Sequence, residues 1–172
     1  MEKIQAYLVG DSIYSNDSEA FSLLKKSYFG TSIGEKVQYS LPEALFLLEK
    51  GKMEILSKTK KISRNELMNK LQRIDRKIHT KYLVFKDLRE KGYIVKTALK
   101  FGAEFRVYGK GAKPGKKHAK WVVFTENESG KLSWHEFAAK NRVAHSTQKN
   151  LLLAIVDEEG EVSYYEVKWI RA

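Results

Sequence analysis

Hydrophobic and polar positions alternate at the start of the chain and then take up a helical period. KIQAYLVGDSIYS alternates around a Gly-Asp pair, which predicts a β-hairpin. DSEAFSLLKKSYFG predicts a short helix that ends near Gly30. In SLPEALFLLEKG, Ser40 and Glu43 form a capping box with Pro42 in the first turn, so a second helix should run to Gly51. KMEIL predicts a strand after that helix.

A longer helical pattern follows over SRNELMNKLQRIDRKI. It opens with a second capping box, Ser63 and Glu66, and its apolar side chains recur at helical spacing as far as Ile78. The pattern restarts near residue 80, where Thr80 is the predicted N-cap of KYLVFKDLREKG and Gly92 ends that helix. We therefore predict an N-terminal α/β domain over residues 1–79 and a second domain over residues 80–172.

The second half changes to the period of β-strands. YIVKTALKF and AEFRVYG predict adjacent strands that turn at Gly102, and AKWVVFTE predicts a third. SWHEFAAKNRVAHSTQ begins with a third capping box, Ser133 and Glu136, and predicts a helix. LLLAIVD is wholly apolar, which is typical of a strand inside a sheet, and VSYYEVKWIR predicts its antiparallel partner. Together these elements predict an α/β (α+β) fold.

Composition and charge reduce the number of possible function classes. The chain has 172 residues, no cysteine and a net charge of +11. Disulfides and thiolate metal sites are thereby excluded, and the composition suits a reducing cytoplasm. The apolar run LLLAIV is far shorter than the ~20 residues of a membrane-spanning helix, and the N-terminus has no pattern of a secretory signal. A basic surface favours nucleic acid as the partner, although a generally basic soluble protein would share this composition.

The basic charge is concentrated in the segment FRVYGKGAKPGKKHAKW, residues 105–121, and no acid occurs between Glu104 and Glu126. The segment is not a phosphate-binding P-loop, because Gly109 and Gly115 have the wrong spacing and a lysine stands where Ser or Thr is required. The histidines do not occur in pairs at the spacing of a helical metal site, so we predict no metal and no cofactor.

The same segment contains groups that could cleave RNA. The 2′-OH of RNA can attack the adjacent phosphorus if one group accepts its proton, another protonates the leaving oxygen, and a cation stabilises the added charge. Tyr108, His118 and Lys149 could supply these roles. Taken singly, each has an ordinary explanation, as a strand aromatic, a loop histidine and a solvated lysine.

Two motifs in order, YxxGxxxGKKH and RVAHSxxKxxLLAIVDEEGEVSYYEV, resemble those of the archaeal tRNA-splicing endonucleases (tRNA-intron endonucleases) of the short, single-unit type. The similarity extends upstream through KYLVFKDLREKGYIVKTALKFGAEFRVYG and covers about residues 80–171. YSLPEALFLLEKGKMEI gives a weaker match in the first half. The resemblance implies a catalytic domain like that of restriction endonucleases, with a mixed central sheet flanked by helices.

The resemblance implies that Tyr108 is the general base, His118 the general acid, and Lys149 the group that stabilises the pentacovalent phosphorus. The substrate would be precursor tRNA, cut at bulge-helix-bulge splice sites without a metal. The products would carry 2′,3′-cyclic phosphate and 5′-OH ends.

Further residues are implied in RNA binding and assembly. A bulged base would be held by Arg142 and by either Trp169 or Arg171, both side-chain types that stack on bases. Two loop lysines, Lys116 and Lys117, would hold the scissile phosphate. Three acids would dock into a basic cleft of a partner subunit: Asp157, Glu158 and Glu159.

Two assemblies and one other function stay open at this point, and a third function is disfavoured. The chain would form a homotetramer, or a heterotetramer with a structural subunit. It could instead be a non-catalytic RNA-binding or scaffolding subunit of such an assembly. A metal-dependent DNA nuclease would need paired carboxylates beside a lysine, and KHAKWVV lacks them.

Overall fold

Two β-sheets organise the part of the chain that the computed structural model describes, residues 2–172. The first unit ends at Tyr82 and the second begins at Leu83. The division falls inside a helix, Ile78–Glu90.

Six strands and the first three helices lie in the first unit. They are β1 (Ile4–Val9), β2 (Ser12–Ser15), α1 (Ser18–Ser27), β3 (Thr31–Ile33), β4 (Lys36–Tyr39), α2 (Leu41–Glu49), β5 (Met53–Ser57), β6 (Lys60–Lys61) and α3 (Arg64–Ile74). The sheet has the order β3-β4-β2-β1-β5-β6, in which β1 and β5 are parallel and all other neighbours are antiparallel.

The predicted hairpin and the first two capping boxes are confirmed. β1 pairs with β2 across Gly10 and Asp11. The Ser40 and Ser63 backbone N–H groups each donate to the glutamate three residues later, at 2.9 and 2.8 Å. These bonds satisfy donors that a helix N-terminus would otherwise leave free, which explains why α2 and α3 begin where the sequence indicates.

The β3–β4 hairpin was not predicted. Gly30 begins it, with a φ of +77° in the left-handed region, and its N–H donates to the buried Glu43 carboxylate at 2.9 Å. A Cβ at this position would lie 2.4 Å from the Val37 side chain. Only glycine therefore fits here without moving β4.

The predicted start of the fourth helix is wrong. Helix α4 (Ile78–Glu90) begins two residues before Thr80, which lies inside it, and α3 ends before Ile78. Asp75 supplies the turn instead: its carbonyl accepts from the N–H of Ile78 at 3.0 Å, and its carboxylate accepts from the N–H of Lys77 at 2.9 Å. An aspartate before a helix satisfies free donors better than a buried threonine one turn later.

Five strands and the last helix complete the second unit. They are β7 (Ile94–Ala98), β8 (Ala103–Tyr108), β9 (Trp121–Asn127), α5 (Trp134–Ser146), β10 (Asn150–Val156) and β11 (Val162–Val167). The sheet has the order β11-β10-β9-β8-β7, and only β9 and β10 are parallel. LLLAIVD is therefore an interior strand, as predicted.

The two faces of the second sheet carry different layers. Phe105 and Phe85 contact each other across one face, with ring centroids 5.8 Å apart, so α4 packs there. On the other face Val122, Phe124 and Leu151 are buried together with Ala144 of α5. Because side chains alternate along a strand, Arg106 lies on the α5 face next to Phe105 on the α4 face.

The predicted α/β class and the mixed sheet flanked by helices are confirmed. Among residues 2–172, no helix has the length and apolar character needed to cross a membrane.

Candidate active site

One cavity in the second unit gathers side chains from distant parts of the chain. Its volume is about 320 Å³. Its lining consists of Phe101, Arg106, Tyr108, Gly115, Lys116, Lys117, His118, Ala119 and Lys149. The structure thus brings the three predicted catalytic residues and both loop lysines to one place.

Strand β8 positions the first wall of the cavity. Tyr108 is the last residue of the strand and is only 5% exposed. Arg106, two residues earlier, lies on the same face, since successive side chains point to opposite sides. Both residues pair with β7, so their backbone is held within the sheet before the chain enters the loop.

The basic loop between β8 and β9 forms the second wall. It makes two turns, in which the N–H of Ala112 donates to Gly109 at 2.9 Å and the N–H of Lys116 donates to Lys113 at 3.1 Å. Its end is fixed to β8 by a 2.9 Å bond from the N–H of Lys120 to the carbonyl of Val107. These bonds hold the loop beside the end of β8 and leave His118 exposed.

The turn between α5 and β10 positions Lys149. The N–H of Lys149 donates to the Ala144 carbonyl at 2.8 Å, and the N–H of Gln148 donates to the His145 carbonyl at 3.1 Å. This is the Schellman pattern of a helix C-terminus. Gln148 occupies its left-handed position, with φ of 55°, where glycine is the usual residue.

The Lys149 ammonium is held from two sides. It donates to the carbonyl of Thr147 at 2.9 Å and lies 5.1 Å from the centre of the Phe101 ring. Burial lowers the pKa of Lys149 below its usual value, and the positive charge of Arg106 lowers it further. A phosphate between the two cations would oppose the effect of Arg106, because an anion favours the charged form.

Sequence reasoning missed Arg106 and Phe101. Arg106 could have been found from FRVY, because a residue two positions before Tyr108 on a strand faces the same way. Phe101 has no such signal, since it lies in a 3₁₀ turn between β7 and β8.

A second cluster brings Arg142 and Trp169 together. Both line a cavity of about 410 Å³ beside α5. His145 lies one turn after Arg142, and its ring centroid is 4.5 Å from that of Trp169. Trp169 is 53% exposed, so part of its ring is open to solvent. Arg171 is exposed and does not line this cavity.

The acidic residues after β10 do not have equal roles. The Asp157 carboxylate accepts from the N–H groups of Glu159 and Glu161, both at 2.9 Å, and so builds the turn. The N–H of Glu158 donates to Glu128 at 2.9 Å. The side chains of Glu158 and Glu159 are exposed, and that of Glu161, which follows the turn, is exposed as well.

Other possible sites contain fewer side chains that could act as acid, base or metal ligand. A cavity of about 690 Å³ lies in the first unit, and its lining includes two tyrosines and two lysines but neither a histidine nor a carboxylate. Over residues 2–172, His, Asp and Glu side chains do not gather in groups of three that could hold a metal.

Both halves of the chain match models of known families. Residues 4–68 match the model described as tRNA intron endonuclease, N-terminal domain. Residues 78–164 match the one described as tRNA intron endonuclease, catalytic C-terminal domain.

Several archaeal proteins with the name tRNA-splicing endonuclease are similar to the chain. One from Thermococcus kodakarensis is 43% identical over 166 residues, which cover 96% of this chain and 97% of the relative. One from Methanothermobacter thermautotrophicus is 40% identical over 146 residues, 85% of each chain. One from Nanoarchaeum equitans is 43% identical over 135 residues, 75% of this chain and 86% of the relative.

Proposed function

The chain belongs to the tRNA intron endonuclease family, and from this premise we propose that it cuts precursor tRNA at bulge-helix-bulge splice sites without a metal. The observation that carries the proposal is the meeting of Tyr108, His118 and Lys149 at one cation-rich cavity. A tyrosine, a histidine and a lysine at one phosphate can supply the base, the acid and the cation that cleavage by the 2′-OH of RNA requires.

The reaction is a transesterification. The 2′-OH loses its proton to the phenolate oxygen of Tyr108, which becomes a phenol, and the 2′ oxygen bonds to phosphorus. The bond from phosphorus to the 5′ oxygen breaks, and His118 gives that oxygen a proton. The products are a 2′,3′-cyclic phosphate and a 5′-OH, and no water is consumed.

Lys149 stabilises the charge that builds up on the phosphate oxygens. Its ammonium is already fixed by the carbonyl of Thr147 and the ring of Phe101, so little reorientation is needed when the RNA binds. Preorganised charge in a partly buried site stabilises a transition state more than the same charge in water does. Lys116 and Lys117 are exposed and line the same cavity, which supports a role in holding the strand at the scissile phosphate.

A bulged base is held at the second cluster. Arg142 and Trp169 line one cavity, which favours Trp169 over Arg171 as the partner of Arg142. An indole and a guanidinium can stack on a base from opposite sides.

The chain works as a homotetramer in which Glu158 and Glu159 of one subunit dock into a basic cleft of another. The support is that these acids are exposed on a turn that Asp157 builds internally. The double substitution Glu158→Lys and Glu159→Lys should lower the mass measured by light scattering, because like charges then meet at the docking cleft. An unchanged mass would reject this contact.

Removing the general acid tests the chemistry. His118→Ala should slow cleavage of a bulge-helix-bulge RNA about 10²–10⁴-fold in excess EDTA while the RNA still binds. His135→Ala is the matched control, since His135 is exposed on α5 and lies outside both cavities. Wild-type cleavage should be the same with and without EDTA.

The outcomes separate the proposal from its alternatives. Full activity of His118→Ala contradicts the catalytic assignment, and loss of wild-type activity in EDTA contradicts metal independence. Cleavage by the chain purified alone excludes a purely scaffolding role.

A further inference from the structure

Arg106 is the cation of the active-site cavity for which the protein supplies no partner. Its Nε atom is completely buried and has no hydrogen-bond acceptor. Within residues 2–172, no carboxylate forms an ion pair with its guanidinium. The nearest acid along β8, Glu104, accepts a hydrogen bond from the N–H of Thr125 at 3.3 Å. Leaving a buried donor without an acceptor is unfavourable in a folded protein.

The neighbours of Arg106 make this arrangement more unfavourable. Lys149 lines the same cavity, and its pKa is lowered first by burial and then by the positive charge of Arg106. Lys116 and Lys117 add two more cations to the lining. A partly buried arginine among lysines is stable in a folded protein when an anion from outside the chain is shared among them.

We propose that Arg106 is a further catalytic residue, which binds a non-bridging oxygen of the scissile phosphate together with Lys149. The inference rests on the proposed RNA cleavage. Tyr108 and His118 exchange protons with the RNA, whereas Arg106 exchanges none, because a guanidinium stays protonated. As phosphorus becomes pentacovalent, its non-bridging oxygens gain negative charge, and the hydrogen bonds from Arg106 strengthen.

The position on β8 explains why an arginine suits this role. Arg106 and Tyr108 are two residues apart on one face of a strand that is hydrogen-bonded on both sides. Their separation is therefore fixed by the backbone and does not depend on the loop. A planar guanidinium can donate two parallel hydrogen bonds to a phosphate, whereas Lys149 acts as a point charge.

The substitution Arg106→Met separates a catalytic from a structural role. Methionine keeps an unbranched apolar stem and removes the unpaired donor and the repulsion with Lys149. We expect an unchanged or higher Tm, because replacing an uncompensated partly buried charge by an apolar group relieves strain. We also expect a single-turnover cleavage rate about 10²–10³-fold below that of the wild type, the usual loss for one preorganised donor.

A measurement of RNA affinity and a control substitution at another arginine complete the experiment. RNA with a 2′-deoxy nucleotide at the cleavage position cannot react, and its Kd should change less than tenfold. Arg89→Gln removes another partly buried arginine of the second unit that lies outside the cavity, and its cleavage rate should stay within about twofold of wild type.

Three results would overturn the proposal. They are a cleavage rate of Arg106→Met within threefold of wild type, a fall in Tm that accounts for the lost activity, and a loss of affinity as large as the loss of rate. If the wild type itself fails to cleave the RNA, the proposed function fails instead. Wild-type cleavage together with an active Arg106→Met variant rejects only the role of Arg106.

Discussion

Gln148 offers a direct test of how the fold positions Lys149. It holds the left-handed position of the turn after α5, and the next N–H is that of Lys149. The left-handed conformation costs a residue with a Cβ about 1–2 kcal/mol, and glycine avoids this cost. Glycine also makes the unfolded chain more flexible, which costs about 0.5–1 kcal/mol. Gln148→Gly should therefore stabilise the protein by about 0.5–1 kcal/mol.

A β-branched residue at the same position should do the opposite. Gln148→Val cannot adopt a φ of 55° without strain, so the turn must shift and carry Lys149 with it. We expect a loss of stability of about 1–2 kcal/mol, with cleavage slowed by more than the folded fraction explains. Gln148→Asn is the control, because asparagine tolerates the left-handed region.

Urea unfolding and single-turnover cleavage measure both effects. For a urea m-value of about 2 kcal/mol/M, Gln148→Gly should raise the midpoint by about 0.3–0.5 M without changing m. Cleavage by this variant should stay close to that of the wild type. A lower midpoint for Gln148→Gly, or a Gln148→Val variant with unchanged stability and activity, would refute the reasoning.

Three other substitutions test separate features. The hydrogen bond from the Ser63 N–H holds the pKa of Glu66 at about 2. The ionised Glu66 carboxylate therefore stabilises the folded protein at neutral pH, and this contribution disappears as the pH falls from 4.5 through 2. The unfolding midpoint of Glu66→Gln should therefore fall less over that range than that of the wild type. Asp157→Ala removes the acceptor of two turn bonds and should lower stability by about 1–2 kcal/mol in thermal unfolding. Trp169→Ala should weaken RNA binding by about 1–3 kcal/mol in a filter-binding assay, and Arg171→Ala should weaken it less.

The sequence predicted those elements whose signals are local. A capping box needs only two residues three apart, and Ser63 and Ser133 each accept from the glutamate N–H, as expected. β3, β4 and β6 were missed. All residues of β3 and β6 are exposed, so neither shows apolar alternation, and β4 alternates over only four residues. The start of α4 was misplaced because hydrogen bonds to Asp75, and not a cap at Thr80, make the turn before the helix. The pattern of apolar positions contains no information about such side-chain hydrogen bonds.

The candidate site also has features that the sequence indicated and features that only the folded chain shows. Residue types and their order indicated Tyr108, His118 and Lys149, but only the folded chain brings them to one cavity. Which aromatic or basic side chain lies beside Arg142 depends on the course of the chain after β11, where Trp169 returns to α5. Strand spacing in FRVY places Arg106 on the same face as Tyr108, but only the folded chain shows that its Nε lacks an acceptor.

Strand β10 connects the two charged ends of the proposed machinery. Lys149 lies immediately before it and Asp157 immediately after it. A strand of seven residues spans about 20 Å, which is more than two Debye lengths at physiological salt. The exposed acids of the turn therefore barely reduce the positive potential at the cavity and do not repel an RNA phosphate bound there. One interior strand can thus carry a catalytic cation at one end and an acidic docking turn at the other, although the two require opposite electrostatic surroundings.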